Sequence, residues 1–260
     1  MEAKTHDFPF AVGEHANLYL VTEGGRQMVR KKMRLPAEII VESGMRLFER
    51  AKNAGSISSY ISPINSVSCD ERAILDVTLP FYQNGHICAY LNGAPNNEKM
   101  KMLIKFAQAV ENIHHLLGPH GHIVPGNVMV KDDHNIVITD YRVSATLNEI
   151  FPGQIPSSWM FRATEVFSGN NDAFTAPTRP DDVFGFAGVM YQVLTGKPPF
   201  SPNNYYSRVI LGDGELALID RSGLGTEMWD LLIQCFSPQP FTRPTMGDIV
   251  VRLKIMAELY

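Results

Sequence analysis

Polar and apolar residues alternate over 16–34 around the break Glu23-Gly24-Gly25, which predicts two strands joined by a glycine turn. The period then changes: Ile39, Ile40, Leu47 and Ala51 sit among charges over 37–54, the pattern of one amphipathic helix. Short β-rich runs follow at 61–68 and 73–79, then a loop at 80–85. From about 97 to 117, Met102, Phe106, Val110 and Ile113 recur at helical spacing. Two brief strands, 127–130 and 136–139, bracket the turn Lys131-Asp132-Asp133-His134. A Pro-, Ser- and Gly-rich loop over 151–181 precedes helices at 183–194, 226–236 and 244–258, the last with Pro244 near its first turn. The pattern predicts an α+β chain, with a small β-rich part holding one helix, a larger mainly helical part, and a boundary near 80–93.

Composition narrows the classes. An apolar fraction of 45% over 260 residues is enough to bury a sizeable core and too high for a disordered chain. The net charge of −4 argues against non-specific nucleic-acid binding. Arg30, Lys31, Lys32 and Arg34 do cluster, and charge alone fits either a solvated strand edge or an anion site. Cys69, Cys88 and Cys235 are odd in number and form no C-x-x-C pair, against a disulfide framework or a structural zinc. MEAKTHDFPF has no signal-peptide core, and the apolar run 183–194 falls short of the roughly 18 residues that span a bilayer. A soluble, cytoplasmic protein without membrane insertion is expected.

Four separated segments, in order and over almost the whole chain, resemble the protein kinase superfamily. DVFGFAGVMYQVLTGKPPF (182–200) is similar to the large-lobe helix written DVWSFGVVLYELLTGKPPF, and CFSPQPFTRPT (235–245) to the C-W-x-x-D-P-x-x-R-P-T segment. HGHIVPGNVMV (120–130) stands where kinases carry H-R-D-L-K-P-x-N-I-L-V, and ITDYR (138–142) where they carry D-F-G. DVFGFAG and the RPT ending point to the tyrosine-kinase-like or tyrosine-kinase branch. The resemblance implies one bilobal domain over 1–260, with a small lobe to about 80, a hinge at about 79–85 and a large lobe from about 86.

By the same resemblance, Asp182 braces the backbone of the catalytic loop at His120, and Tyr141 takes the D-F-G phenylalanine position. Glu165 of Ala163-Thr164-Glu165, similar to A-P-E, pairs with Arg243. Asn127 and Asp140 match the two magnesium-holding positions, and Lys31 in MVRKKMR matches the V-A-I-K lysine. Val29, Lys31 and Met33 share one strand face by the period of two. The carboxylate partner expected for Lys31 is Glu49, eighteen residues on, with Glu42 as the competitor. Leu79 is the gatekeeper position, Phe81 lies in the hinge, and Met129 lies beneath adenine, where a methionine is equally good core filler.

The departures from the pattern gather at the phosphates. His122 holds the catalytic aspartate position and Val124 the phosphate-contacting lysine position. Imidazole can accept a proton near neutral pH but is bulkier than a carboxylate and supplies no fixed anion. Gly121 replaces the arginine that receives an activation-loop phosphate, and Arg142 replaces the D-F-G glycine, where it could cover the phosphate site. Of the glycine-rich loop only Gly13 survives, in Val12-Gly13-Glu14-His15-Ala16, about two residues short. Val29 narrows the adenine side, and Asn53 stands four residues after Glu49, where the family keeps an apolar residue.

Three functions remain. The leading expectation is a pseudokinase acting as a scaffold or allosteric regulator in signalling, with a protein partner and weak or absent ATP binding. The second is a slow, unconventional Ser/Thr or Tyr protein kinase using ATP and Mg²⁺. The third is a small-molecule phosphotransferase, since HGHIVPGN also resembles the H-G-D-x-x-P-x-N segment of aminoglycoside and choline kinases.

Overall fold

The computed structural model describes residues 8–13, 16–34, 40–69, 75–143, 158–166, 176–200, 219–221 and 223–258, with the side chains of 40–44 and 164 left aside. Expectations at 37–39, 73–74, Glu14, Glu42 and most of 151–181 lie outside these residues or side chains.

The N-terminal part is an antiparallel sheet built from β1 (Ala11–Val12), β2 (Ala16–Glu23), β3 (Arg26–Met33), β4 (Ser66–Cys69) and β5 (Leu75–Pro80), in the order β1-β2-β3-β5-β4. The β2–β3 hairpin turns on Gly24 (φ 57°) and Gly25 (φ 78°), a conformation that favours glycine at both positions. α1 (Ile40–Ile57) packs beside β4 and β5, burying Leu47, Phe48 and Ala51 in a small core with Met33, Val77 and Leu79. Val143, from the other half of the chain, joins the same cluster.

The expected strand over 61–68 is mostly irregular. Ile61 makes an isolated bridge to Ile138, and regular pairing starts only at Ser66. Pro63 has no N–H to give a ladder, while Ser62 N–H already donates to the Ile138 carbonyl at 2.9 Å. Sequence pattern also missed β1 and the single turn α2 (Ile87–Tyr90), which is capped by the His86 side chain. Both are too short to show a period.

The C-terminal part is helical around one large core. α3 (Asn96–Leu116) buries Leu103, Phe106, Val110 and Ile113 in a core shared with α4 (Arg179–Thr195) and α6 (Met246–Ala257), and α5 (Thr226–Cys235) packs on those two helices. The small hairpin of β6 (Val128–Val130) and β7 (Ile136–Ile138) lies over this core. α4 begins at Arg179, four residues before the expected start, because Thr178 and Asp181 form a reciprocal capping box with Pro180 in the first turn. Gly185 is required where α4 meets the loop before β6, since a Cβ there would lie 2.6 Å from the Ile123 carbonyl oxygen.

An antiparallel sheet with one helix, followed by a helical body, is the α+β bilobal architecture that the sequence predicts. No helix among the described residues is long and apolar enough to cross a membrane. The three cysteines form no disulfide, and burial pushes the thiols of Cys88 and Cys235 up to about 12.

Candidate active site

The loop from His120 to Asn127 is held from below by α4. Asp182, almost fully buried, accepts from His120 N–H at 2.5 Å, Gly121 N–H at 2.8 Å and His114 Nε2 at 2.8 Å. Three donors compensate a carboxylate that would be costly to bury alone. Gly121 adopts φ 89°, which an L side chain rarely takes, so the residue at this position shapes the loop as well as removing a cation. His120 donates from Nε2 to the Thr139 carbonyl at 3.0 Å, and its Nδ1 accepts from His122 N–H at 3.2 Å. Burial lowers the pKa of this ring in spite of the opposing pull of Asp182, so it is neutral and fully bonded.

His122 is fixed through both ring nitrogens. The Asn127 amide nitrogen lies 3.1 Å from the His122 carbonyl, which can only accept, so this atom is the NH₂ group and not the oxygen. The same NH₂ is 3.1 Å from His122 Nδ1, which therefore accepts. Nε2 must then carry the ring proton, which it donates to Ser158 Oγ at 2.9 Å. Asn127 Oδ1 accepts from Thr139 Oγ1 at 3.4 Å. Ser158 lies in the Pro-, Ser- and Gly-rich stretch over 151–181, and nothing in its local pattern marks it as a partner of His122, 36 residues away.

Lys31 contradicts its expected pairing. Its Nζ lies 2.6 Å from Asp140 Oδ1 and 2.7 Å from Oδ2, a direct two-oxygen ion pair. Glu49 makes no ion pair among the described residues: it is exposed, lining an open cleft beside α1. The reason lies in the rotation of α1. Ala54, and not Asn53, is the apolar residue buried toward the large core, which leaves Asn53 exposed on the same side as Glu49. Ser58 Oγ donates to Asn112 on α3 at 2.8 Å and fixes the C-terminal end of α1.

Where the kinase resemblance expects a nucleotide, Gly13 N–H donates to the Ala16 carbonyl at 2.8 Å, and its own carbonyl accepts from Arg34 Nη2 at 2.6 Å. Arg34 also reaches Asn17 Oδ1 at 2.5 Å. The N–H that a glycine-rich loop would offer a phosphate is thus already used. Val29 pairs with Leu20 on one side and Leu79 on the other, with Leu79 buried. Phe81 meets Phe10 edge-to-face at 6.4 Å, and Met129 is half-buried opposite Val137. Val124 is buried in the large core.

Asp140 and Arg142 both have positive φ, 63° and 62°. Aspartate tolerates this region, whereas arginine is strained there. Arg142 is directed over the Tyr141 ring, 6.0 Å from its centroid, and lines the cleft beside α1, so the expected cover over the phosphates is replaced by a contact on another face. Tyr141 is buried against His120 and donates its hydroxyl to the Leu117 carbonyl at 2.8 Å.

Further from the site, Arg243 binds Glu165 through Nη1 at 2.5 Å and Nη2 at 2.9 Å, with its guanidinium fully buried and 5.1 Å from the Phe184 ring centre. Asp181, beside this pair, has its carboxyl pushed up to about 6, by burial first and then by the charge of Glu165. The oxygens of Asn127 and Asp140 are hard ligands suited to Mg²⁺, and Lys31 is suited to a phosphate. If such a group bound, these three residues would hold it, with Asp140 giving up part of its contact with Lys31.

Residues 57–253 match the family model described as protein tyrosine and serine/threonine kinase. A probable serine/threonine-protein kinase of Dictyostelium discoideum is 29% identical over 167 residues, covering 61% of this chain and 15% of that protein. A probable inactive receptor kinase of Arabidopsis thaliana is 23% identical over 276 residues, covering 92% and 40%. The mouse ankyrin repeat and protein kinase domain-containing protein 1 is 24% identical over 176 residues, covering 62% and 23%. The chain therefore spans well under half the length of these relatives. The match covers three quarters of the chain and takes in the loop from His120 to Asn127, Asp140, Asp182 and the Glu165–Arg243 pair: the chain belongs to the protein tyrosine and serine/threonine kinase family.

Proposed function

We propose that this domain is a pseudokinase that serves signalling as a protein-binding or allosteric module. The observation that carries the reading is the state of His122. A base that accepts a hydroxyl proton needs a lone pair facing that hydroxyl. Here Nδ1 is occupied by the Asn127 NH₂, and Nε2, the nitrogen facing Ser158, already bears a proton. The Lys31–Asp140 pair and the internally bonded Gly13 support the same reading, because the groups that would meet a Mg-nucleotide are satisfied by one another.

An active kinase using ATP and Mg²⁺ is the second reading. It is favoured by the convergence of Lys31 and Asp140, which a nucleotide could separate and bridge, and by relatives named as serine/threonine kinases. Thermal unfolding titrated with ATP and ADP, with and without Mg²⁺, separates the two. The pseudokinase reading expects shifts below about 1 °C at millimolar nucleotide. A larger Mg-dependent shift together with γ-phosphate transfer to protein would overturn it.

A further inference from the structure

Two carboxyls and one guanidinium meet where the turn Thr164–Val166 abuts the first turn of α4. The buried Arg243 gives Nη1 and Nη2 to Glu165, and bonds further to the carbonyls of Pro180 at 3.0 Å and Ser237 at 2.9 Å. The cation is thus spent on Glu165 and on the backbone. Asp181 draws on other groups: its Oδ2 accepts from Thr178 N–H at 2.9 Å, and its own N–H donates to Thr178 Oγ1 at 3.3 Å. The neighbouring charges on α4 are turned elsewhere. Arg179 donates to the His114 carbonyl at 2.8 Å, and Asp182 faces His114 and the N–H groups of His120 and Gly121.

Asp181 and Glu165 also lie within hydrogen-bonding reach of each other. Two ionised carboxylates cannot form such a bond, because both only accept; one proton between them supplies the missing donor. Without that proton, two negative charges face a single cation already bonded to one of them. Glu165 keeps 28% exposure, so protons from solvent reach the pair. The same stretch is seated on α4 by its other end: a Cβ on Gly188 would lie 2.9 Å from Phe161 Cδ1, and Trp159, Phe161 and Ala163 are buried. Core packing therefore holds 159–163, whereas Glu165 supplies the polar anchor of the turn that follows.

We propose that Asp181 and Glu165 form a proton-operated latch: one shared proton fastens the turn Thr164–Val166 to the first turn of α4, and its loss loosens that turn. The proton is held more tightly in the fastened state than in the loosened one. Fastening is therefore strongest below about pH 4 and is lost as pH rises through about 6. Arg243 stays buried and paired with Glu165 across this range, so the turn loosens without the core opening. The stretch that carries Ser158, the partner of His122, ends in this turn. The latch uses neither Lys31 nor Asp140, and it stands whether or not a nucleotide binds.

The test follows amide hydrogen exchange in the full chain from pH 4 to 7, corrected for the intrinsic pH dependence of exchange. Protection of amides 164–166 is expected to fall at least about tenfold over this range. The amides of Leu103, Phe106 and Val110 in α3 open only with the whole molecule, and are expected to remain better protected at every pH. Asp181→Asn keeps an oxygen for Thr178 N–H and offers an N–H to Glu165, so it stands for the protonated acid. In this variant the fall should vanish, with protection at pH 7 matching the pH 4 level of the unaltered protein. A carbon-13 titration of the carboxyls should show a step near 6 that the variant lacks. Protection of 164–166 that is constant with pH, that falls equally in Asp181→Asn, or that never drops below that of α3 would overturn the proposal, as would the absence of the carboxyl step. The comparison with α3 is made in the unaltered protein, so it decides the matter even where the variant fails to fold.

Discussion

Buried or half-buried charges are satisfied in two different ways in this molecule. Asp182 beneath the loop at His120 and Arg243 further away are locked by partners that belong to the fold itself: backbone N–H groups, a histidine and a two-pronged carboxylate. Between β3 and the turn after β7, Lys31 and Asp140 satisfy each other, and both keep some exposure. The first set has no alternative partner and acts as a frame. The second is a pair that a ligand could divide, so its cost of separation sets how much affinity a nucleotide must supply. A frame can be kept while the chemistry above it is altered, because the two share little beyond the loop that joins them.

The largest test of this contrast is Asp182→Ala. It orphans two buried N–H groups and the His114 donor, and should destabilise the protein by about 3–5 kcal/mol in urea unfolding. A loss near zero would remove the distinction between frame and site.

The second test uses pH. Asp181 titrates near 6 in the folded protein and near 3.8 when unfolded, so its folded pKa is raised. Its contribution is fully present below about pH 4 and is lost as pH rises through about 6, on the order of 3 kcal/mol. Asp181→Asn should flatten this part of the stability–pH curve, as read by denaturation from pH 4 to 7.

For the site, a double-mutant cycle of Lys31→Met and Asp140→Asn should return a coupling of about 1–2 kcal/mol, below the Asp182 effect, because the pair is part-exposed. The smallest effect is expected of Arg142→Gly. Release of the left-handed strain, offset by a freer unfolded chain, should raise stability by about 0.5–1 kcal/mol.

Much of the frame was legible because it is written in local pattern. The Gly24-Gly25 hairpin, the spacing of α3 and the apolar run of α4 each show their own period or turn signal. Lys31 could be placed on its strand, but its carboxylate could not be identified. Whether Glu49 or Asp140 reaches it depends on how α1 is rotated, and that is decided by whether Ala54 or Asn53 is buried, a choice made by the large core. The state of His122 was equally hidden. Its identity is in the sequence, whereas the location of its proton follows from the orientation of one amide, which only the His122 carbonyl settles.

The cysteines offer a practical handle. With the Cys88 and Cys235 thiols raised to about 12, almost no thiolate forms at neutral pH, and alkylating reagents should pass both by. Cys69, half-buried at the end of β4 on the sheet's outer strand and on the strand that packs against α1, is left as the position to label. A fluorophore there would sit beside the helix whose rotation decides the partner of Lys31, and its emission would follow that rotation without any engineered cysteine.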